Sequence, residues 1–395
     1  MSVARTRLAG GIGATLIIVG ISAAIGQSPR DGDAPPPGPA RPPEAALDAC
    51  RALAAGARCS FAGRDGAMTG SCFAPPGRPP ACRPAGAPLF DDDRGNDQRT
   101  AIAGTAVSTA AIACTRSHDA LNPGLNLLSR YAWSCTGSER RLTGNGIPDH
   151  VTGSFPNRGN PNRIAEQDVR FTTALVPQLY AGEGQRVKLS GYALNGIKFD
   201  PGTAQTCTEG CANAGRSHDG QWRIEALGQS YFDFGVDSNN AHVQPGGAYH
   251  YHGVPTALVE RLKGRGGMAL IGFAVDGFAI YGPEGHDRPM DASSPIRTMR
   301  PSYRLKARPD AGRPPVTLAP MGTFVQDYEY VAGLGDLDEC NGRTDVTPEF
   351  PTGAYHYYAT RAYPYLQRCV KGRAYPGADE NRGPPPGGGA RAQHS

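Results

Sequence analysis

The stretch "NNAHVQPGGAYHYHG" occupies residues 239–253 and sets the local fold of the region richest in reactive side chains. It predicts a β-hairpin with a three-residue loop, Pro245-Gly246-Gly247. Proline presets one turn angle, and glycine accepts the left-handed backbone conformation that such a loop requires. With this loop length Gln244 faces Ala248, and this pair fixes the register of the two strands.

The register places three histidines on one face of the hairpin. His242 lies opposite His250, and residues two apart on a strand share a face, so His252 joins them. Tyr249 and Tyr251 project from the other face. Three neutral imidazoles on one face predict a site for a transition-metal ion, copper or zinc. The alternative is a polar sheet face in which the histidines hydrogen-bond, and an even-numbered loop would scatter the rings.

Two further histidines are candidate ligands from other segments. His150 follows a carboxylate in "GNGIPDHVTG" and either completes the site or caps a loop. His356 lies in "PTGAYHYY", which matches "PGGAYHYH" of the hairpin. In that alignment Pro348 and Tyr358 replace two of the clustered histidines. The match indicates either a degenerate internal duplication or chance similarity.

Carboxylates form two other candidate sites. Asp336, Asp338 and Asn341 precede a glycine in "DLDECNGRTD", which resembles a calcium loop, although the distal glutamate of an EF-hand is missing. A surface turn is the alternative there. Asp276 occupies an Asp-Gly step in "FAVDGFAIYG" that predicts a tight hairpin. Its alternative role is to orient a ligand of the histidine face.

The fold class predicted from the sequence is α+β or mainly β, with antiparallel strands, hairpins and few short helices. Fifty-three glycines and 36 prolines indicate many turns. Runs such as "ALIGFAVDGFAIYG" (269–282) and "TFVQDYEYVAG" (323–333) are typical of strands bounded by glycine. "PTALVERLKGRGG" (255–267) predicts a short helix with proline at its start and glycine at its end.

Composition divides the chain into six segments. The start carries Arg5 and Arg7, then an apolar run, then small residues up to Gly26, which predicts a secretory signal; an uncleaved anchor is the alternative. The predicted segments are a signal peptide (1–26), a Pro-rich linker (27–44), a four-cysteine module (45–86), a polar linker (87–99), the main domain (100–376) and a disordered tail (377–395).

Ten cysteines favour an exported chain with disulfides, in the periplasm or outside the cell. The four-cysteine module is too small for a core, so we expect two disulfides there. It has no CxxC pair and no histidine, which disfavours zinc. For the other six cysteines the simplest pairing joins neighbours: Cys114 with Cys135, Cys207 with Cys211, and Cys340 with Cys369.

Charge and motifs disfavour several classes of function. The net charge of +4 is small for a chain of 395 residues and gives no support for nucleic acid as a partner. After removal of the signal segment we expect no transmembrane domain. The string "RSHD" occurs at 116–119 and again at 216–219, but neither serine lies in a Gly-x-Ser-x-Gly elbow. We assign both strings to turns or helix starts.

Several long blocks resemble those of the YHYH-domain proteins, a family named for the motif that stands here at residues 249–252. The blocks are "NGIPDHVTGSFPN", "GYALNGIKFDPGTA", "DSNNAHVQPGGAYHYHG", "IGFAVDGFAIYGP" and "DYEYVAGLGDLDECNGRTDVTPEFP". The resemblance covers about residues 100–372 and implies an often exported protein without assigning an activity.

Two functions compete at this stage. The first is an exported metalloprotein, in which an open position on three histidines would allow catalysis. The second is a surface module that binds a glycan or protein through its tyrosine-rich strands, with structural histidines. Sixteen tyrosines favour the second, because the ring packs while the hydroxyl forms hydrogen bonds. The small-molecule, glycan or protein ligand is not identified by the residues.

Overall fold

The computed structural model describes residues 44–53, 57–63, 66–73, 80–84, 99–208, 211, 220–264 and 267–376. Contacts divide the chain into two compact units, residues 1–87 and 88–395. The predicted signal peptide, nearly all of both predicted linkers and the predicted tail lie outside the described residues. Across the described ranges, no helix combines the length and apolar character needed to cross a membrane.

The first unit is a small sheet held by disulfides. It contains α1 (Glu44–Asp48) and the strands β1 (Arg58–Gly63), β2 (Gly66–Phe73) and β3 (Ala81–Pro84), which form an antiparallel sheet. Cys50 pairs with Cys72, and Cys59 pairs with Cys82, so the two predicted disulfides are confirmed. Cys50, Cys59 and Cys82 lie close enough together to suggest a metal site. Because each is already in a disulfide, none offers a thiolate to an ion.

The second unit is mainly β. Its described residues form the helix α2 (Thr256–Leu262), a 3-10 helix (Val325–Asp327) and the strands β4 (Ser117–Leu121), β5 (Leu128–Thr136), β6 (Glu139–Gly144), β7 (Val169–Ala174), β8 (Gln185–Arg186), β9 (Gly191–Ala193), β10 (Lys198–Phe199), β11 (Thr206–Cys207), β12 (Trp222–Arg223), β13 (Ala241–Val243), β14 (Tyr249–Tyr251), β15 (Leu270–Ala274), β16 (Ala279–Tyr281), β17 (Glu284–His286), β18 (Ile296–Thr298), β19 (Tyr303–Leu305), β20 (Tyr328–Tyr330), β21 (Gly342–Asp345), β22 (Ala354–Tyr358) and β23 (Cys369–Val370). The predicted fold class is confirmed in its mainly β form.

Two sheets of this unit enclose its core. Eight strands form the larger sheet in the order β13-β14-β10-β9-β15-β16-β22-β21, and the smaller one has the order β4-β5-β6-β7. Alternate residues of β5 are buried, as expected for a strand with one face on a core. Trp133 of β5 packs 5.8 Å from Phe273 of the larger sheet, and Phe171 of β7 packs 4.9 Å from Tyr192, measured between ring centroids. These aromatic contacts join the two sheets.

Disulfides tie the loops of this unit to its strands. Cys114 pairs with Cys135, Cys207 with Cys211, and Cys340 with Cys369, so the nearest-neighbour pairing is confirmed. With the two bridges of the first unit, all ten cysteines of the chain are paired.

The first "RSHD" string does not form a turn or helix start, so that prediction is wrong. Residues 117–121 are β4, which pairs with β5 along its whole length. The prediction failed because the string is short and polar, and the strand is an edge strand whose side chains are mostly exposed. The second string lies outside the described residues.

The hairpin of β13 and β14 has the predicted register. His242 pairs with His250, and the Gln244 nitrogen donates to the Ala248 carbonyl at 2.9 Å. The Gly247 nitrogen closes the loop by donating to the Gln244 carbonyl at 2.9 Å. Gly246 and Gly247 both have φ of +94°, which the predicted left-handed loop positions require.

The two loop glycines allow a matched test of the loop. A β-carbon at Gly247 would lie 2.5 Å from the β-carbon of Ala165, whereas one at Gly246 would meet nothing within 4 Å. Both alanine variants adopt a strained φ, at a cost of roughly 1–2 kcal/mol. We expect Gly247→Ala to lower the free energy of unfolding by a further 1–3 kcal/mol or so, because its neighbour is packed. Urea unfolding of both variants measures the difference; equal losses would contradict the close approach of residue 165.

Candidate metal centre

Three imidazole rings of the hairpin form one cluster. The ring centroids of His242, His250 and His252 are 4.6–4.7 Å apart in every pairing. One nitrogen from each ring lies within 4.8 Å of the others. His250 and His252 are each only 1% exposed, and His242 is partly buried. The three side chains therefore share one face, as the register predicts.

Backbone carbonyls orient two of the rings. His242 donates from Nδ1 to the Phe234 carbonyl at 2.9 Å, and His250 donates from Nδ1 to the Ala248 carbonyl at 3.2 Å. In a neutral imidazole the other nitrogen then carries the lone pair, so Nε2 of both rings is available as an acceptor or ligand. A carbonyl partner on the second nitrogen is the usual arrangement around a metal-bound histidine.

His252 lacks such a carbonyl partner. Its Nε2 lies 3.0 Å from Nε2 of His242, and its buried Nδ1 has no hydrogen-bond partner among the described residues. A neutral ring has one proton for two nitrogens. If Nε2 donates that proton to His242, Nδ1 is left as an unsatisfied buried acceptor, which native proteins generally avoid. The ring is therefore incompletely satisfied by protein atoms alone.

The environment keeps all three rings neutral. Burial lowers the pKa of His242, although the Phe234 carbonyl partly offsets this. Burial lowers the pKa of His250 well below its usual value, and the charges of His242 and Lys198 add to the effect. Burial, His250 and His242 do the same for His252. The neutral form is the one that binds a metal, so the ligands need not lose a proton near pH 7.

The spacing of the nitrogens fits a shared ion. Two nitrogens at roughly 2.0–2.1 Å from one tetrahedral zinc ion lie about 3.3 Å apart. The separation of 3.0 Å between Nε2 of His242 and Nε2 of His252 is close to this value. This spacing makes the donor set suitable for an ion that prefers imidazole ligands.

Polar side chains that the sequence reading missed lie beside the cluster. Lys198 of β10 is the cross-strand partner of His250 in a parallel pairing. Its ammonium group donates to Gln244 Oε1 at 2.8 Å and lies 3.4 Å from Asp200. Gln244 in turn donates to Asp200 at 3.1 Å. Their signal in the sequence was the alternation of "IKFD", which becomes informative only once β10 is placed next to β14.

The opposite face of the hairpin holds His150 rather than the clustered rings. Its Nδ1 donates to the Val151 carbonyl at 2.9 Å, and its Nε2 accepts from the Tyr251 hydroxyl at 2.6 Å. His150 thus contacts Tyr251 of the hairpin, but it does not belong to the cluster of His242, His250 and His252. Both of its nitrogens already have partners.

A buried polar network continues from that tyrosine. Asn195 donates to the Tyr251 hydroxyl at 2.9 Å and to Asp149 at 3.0 Å. Arg261 of α2 also binds Asp149, at 2.7 Å. Burial raises the pKa of Asp149, but the hydrogen bond and charge of Arg261, with Asn195, lower it below its usual range. This network ties α2 to β14 from behind the cluster, and pattern reading gave no sign of it.

His356 lies in a second hairpin, not with the cluster. It belongs to β22, where Arg343 of β21 is its cross-strand partner. Its Nδ1 donates to the Ala354 carbonyl at 3.0 Å. Tyr281 and Tyr358 flank its ring, with centroids 4.7 and 4.8 Å away.

Asp276 has a structural role, since it anchors β22 by a hydrogen bond. It accepts hydrogen bonds from the Tyr357 hydroxyl at 2.6 Å and from the Gly372 nitrogen at 2.9 Å. It lies within the tight turn between β15 and β16 that the sequence predicts. Burial raises its pKa to about 6. Its alternative role, as a carboxylate that orients the clustered histidines, has no support because none of its bonds reaches them.

The structure gives no support for calcium at the predicted loop. Asp336 is bound by Arg297, whose two terminal nitrogens lie 2.7 and 2.8 Å from its oxygens. Asp338 accepts from two backbone nitrogens and from the Tyr355 hydroxyl. The Asn341 side chain donates to the Tyr358 carbonyl. The oxygens of the two aspartates are therefore engaged by separate partners, whereas the buried Oδ1 of Asn341 has no hydrogen-bond partner among the described residues, so the three side chains do not form a shared set of oxygen ligands.

Comparison with known proteins gives one match. Residues 170–372, just over half of the chain, match the profile of a family described as "YHYH protein". No curated protein and no solved structure matches the chain. The matched residues include the whole eight-stranded sheet and the three clustered histidines, while His150 precedes them.

The fully buried His356 should make the fold sensitive to acid. Burial lowers its pKa to about 3 from the ordinary 6.5. Between these values the unfolded chain binds a proton that the folded chain does not, so stability falls as the pH falls, by about 1.4 kcal/mol per unit. Because the unfolded-state histidine is already half protonated at pH 6.5, we expect the free energy of unfolding of His356→Phe to fall by about 2.3 kcal/mol less than that of the parent between pH 6.5 and 4.5. Urea unfolding at both pH values measures this, and parallel losses would contradict it.

Proposed function

The chain belongs to the YHYH protein family, and we propose that it binds one transition-metal ion, copper or zinc, through His242, His250 and His252. The observation that carries the proposal is the convergence of three neutral imidazoles, two of them fully buried and one partly buried, with one nitrogen from each within 4.8 Å of the others. Most buried polar groups in proteins have hydrogen-bond partners, and here one nitrogen has none.

The hydrogen bonds indicate which atoms would hold the ion. His242 and His250 would bind through Nε2, because Nδ1 of each is held by a carbonyl. His252 has no such constraint and would supply the third nitrogen of the ligand set once its hydrogen bond to His242 is broken. An ion bound in this way supplies Lewis acidity or, if it is copper, one-electron chemistry.

The donor set supports copper or zinc over harder ions. Imidazole suits both metals, whereas magnesium and calcium prefer carboxylate and carbonyl oxygens. Asp200 stands near the cluster, but it is engaged by Lys198 and Gln244. His150 and His356 remain outside our ligand set, since each lies in a separate hydrogen-bonded environment.

A second candidate function is binding of a small ligand such as a glycan. An open cavity of about 450 Å³ lies in the second unit, and its lining includes Tyr180, Tyr330 and Lys371. The tyrosines of β14 and β22 do not form the surface platform that this function was predicted to use. Tyr249, Tyr251 and their counterparts in β22 are buried. The cavity is therefore the observation that supports binding of a small ligand as a second candidate function.

Replacement of His250 tests the metal proposal. We expect the wild-type chain to bind one equivalent of zinc or copper ion, and His250→Ala to bind none stoichiometrically. The loss of metal affinity should exceed the roughly 10–100-fold loss that is typical when a residue outside the set of direct ligands is changed. His356→Ala is the matched control, because it removes an equally buried histidine with the same type of carbonyl bond. Titration with each ion and metal analysis provide the measurement.

Two outcomes would count against the proposal. Unchanged metal content in the His250→Ala protein would show that the cluster is not the site. A wild-type protein that stays folded and binds neither ion would favour the second candidate.

We also propose that the chain is exported to the periplasm or the extracellular space, with cleavage after Gly26. Pairing of all ten cysteines supports this, because stable disulfides are rare in reducing compartments. The mass of protein recovered from an exported fraction should correspond to a chain that starts at Gln27, with no thiol that labels after denaturation. A cytosolic, full-length chain with reactive thiols would refute export.

A further inference from the structure

The eight-stranded sheet has the same strand arrangement in its two halves. In the first half β9 and β10 form a hairpin, β10 pairs in parallel with β14, and β14 pairs antiparallel with β13. In the second half β15 and β16 form a hairpin, β16 pairs in parallel with β22, and β22 pairs antiparallel with β21. The halves meet where β9 pairs with β15.

The sequences of the two halves agree at the level of single residues. "GYALNGIKF" starts at Gly191, and "GFAVDGFAI" starts at Gly272. This alignment makes Phe199 equivalent to Ile280. The parallel pairs are then equivalent too, since Phe199 lies beside Tyr251 and Ile280 lies beside Tyr357.

The tyrosines of β14 and β22 are held in equivalent ways. The Tyr249 hydroxyl donates to Asp237 at 2.7 Å, and the Tyr355 hydroxyl donates to Asp338 at 2.8 Å. Each aspartate stands five residues before the cross-strand partner of the central histidine.

The next tyrosine along each strand repeats the agreement. Tyr251 bonds Asn195, and Tyr357 bonds Asp276. Asn195 and Asp276 occupy the same position of the two aligned hairpins. Chance similarity of a short string does not account for matching contacts among three separate segments of each half.

We propose that the eight-stranded sheet consists of two copies of one four-stranded β-unit, and that the second copy carries a closed counterpart of the metal site. His356 takes the position of His250, and both donate from Nδ1 to the carbonyl two residues earlier. Arg343, not Pro348, is the counterpart of His242, because it lies directly opposite His356. The sequence alignment at Pro348 was wrong because the loop of the second hairpin is longer.

In the second copy, side-chain contacts among Arg343, Asp345 and Tyr358 occupy the place that the histidine cluster has in the first copy. Arg343 binds Asp345, and the Tyr358 hydroxyl donates to Asp345 at 2.7 Å. Asp345 corresponds to Gln244, and Tyr358 to His252. Nε2 of His356 is buried and has no hydrogen-bond partner among the described residues. A guanidinium group thus supplies the positive charge in this copy, and only one imidazole of the three is kept.

The inference predicts that three substitutions open the second site. In the full chain carrying His250→Ala, we add Arg343→His, Asp345→Gln and Tyr358→His, which restore the residues of the first copy. We expect this protein to bind one equivalent of zinc or copper ion, at least about 100-fold more tightly than the His250→Ala parent, since three ligands replace one. The matched control carries Arg343→Gln, Asp345→Gln and Tyr358→Phe and should not bind. A folded protein that binds no ion would overturn the inference.

If the variant with the opened second site does not fold, the equivalence of the two copies is tested by the reciprocal exchange, which places residues of the second copy in the first. His242→Arg, Gln244→Asp and His252→Tyr place the closed contacts in the first copy. We expect a folded protein whose melting temperature no longer responds to either ion. Loss of cooperative unfolding here, while His250→Ala still folds, would refute equivalence of the two copies. The inference takes its ligand chemistry from the proposed function, but wild-type binding tests that function separately.

Discussion

The pairing of His242 with His250 is the constraint on which the candidate site depends. Side chains alternate along a strand, so a shift of one residue would exchange the imidazole face for the tyrosine face. The three-residue loop prevents that shift, and Gly247 is packed closely against residue 165. The polar network behind the hairpin adds to this, because Tyr251 fits between Asn195 and His150 only in the observed register. One hairpin thus fixes both a ligand-bearing face and the face that anchors it.

Burial gives this arrangement its chemical character. An imidazole exposed to water would be partly protonated just below neutral pH, whereas the buried rings stay neutral. Neutral rings satisfied by carbonyls are stable without a metal, but His252 keeps one nitrogen without a partner. The second copy shows how the same framework can be closed, with Arg343 and Asp345 where the first copy has His242 and Gln244. The difference between the halves lies in side chains, not in strand arrangement.

Much of this site could be predicted from the sequence, because its determinants are local. Loop composition and strand alternation specified the hairpin and the shared face, and joining neighbouring cysteines as the simplest choice gave the disulfide pairs of the second unit. Long-range placement could not be predicted. Nothing near His150 in sequence indicates that it faces Tyr251, and nothing near Asp336 indicates that Arg297 occupies its oxygens. The counterpart of His242 was misidentified as Pro348, since an ungapped alignment cannot allow for a longer loop.

The most direct test of the account is the location of a bound ion. Crystals of the wild-type chain grown with zinc, and separately with copper, can be measured at the absorption edge of each metal. The account predicts one anomalous peak, within roughly 2.0–2.1 Å of a nitrogen from each of His242, His250 and His252 if the ion is zinc. A map without a peak at these rings, with the contact between His242 and His252 still in place at saturating metal, would contradict it.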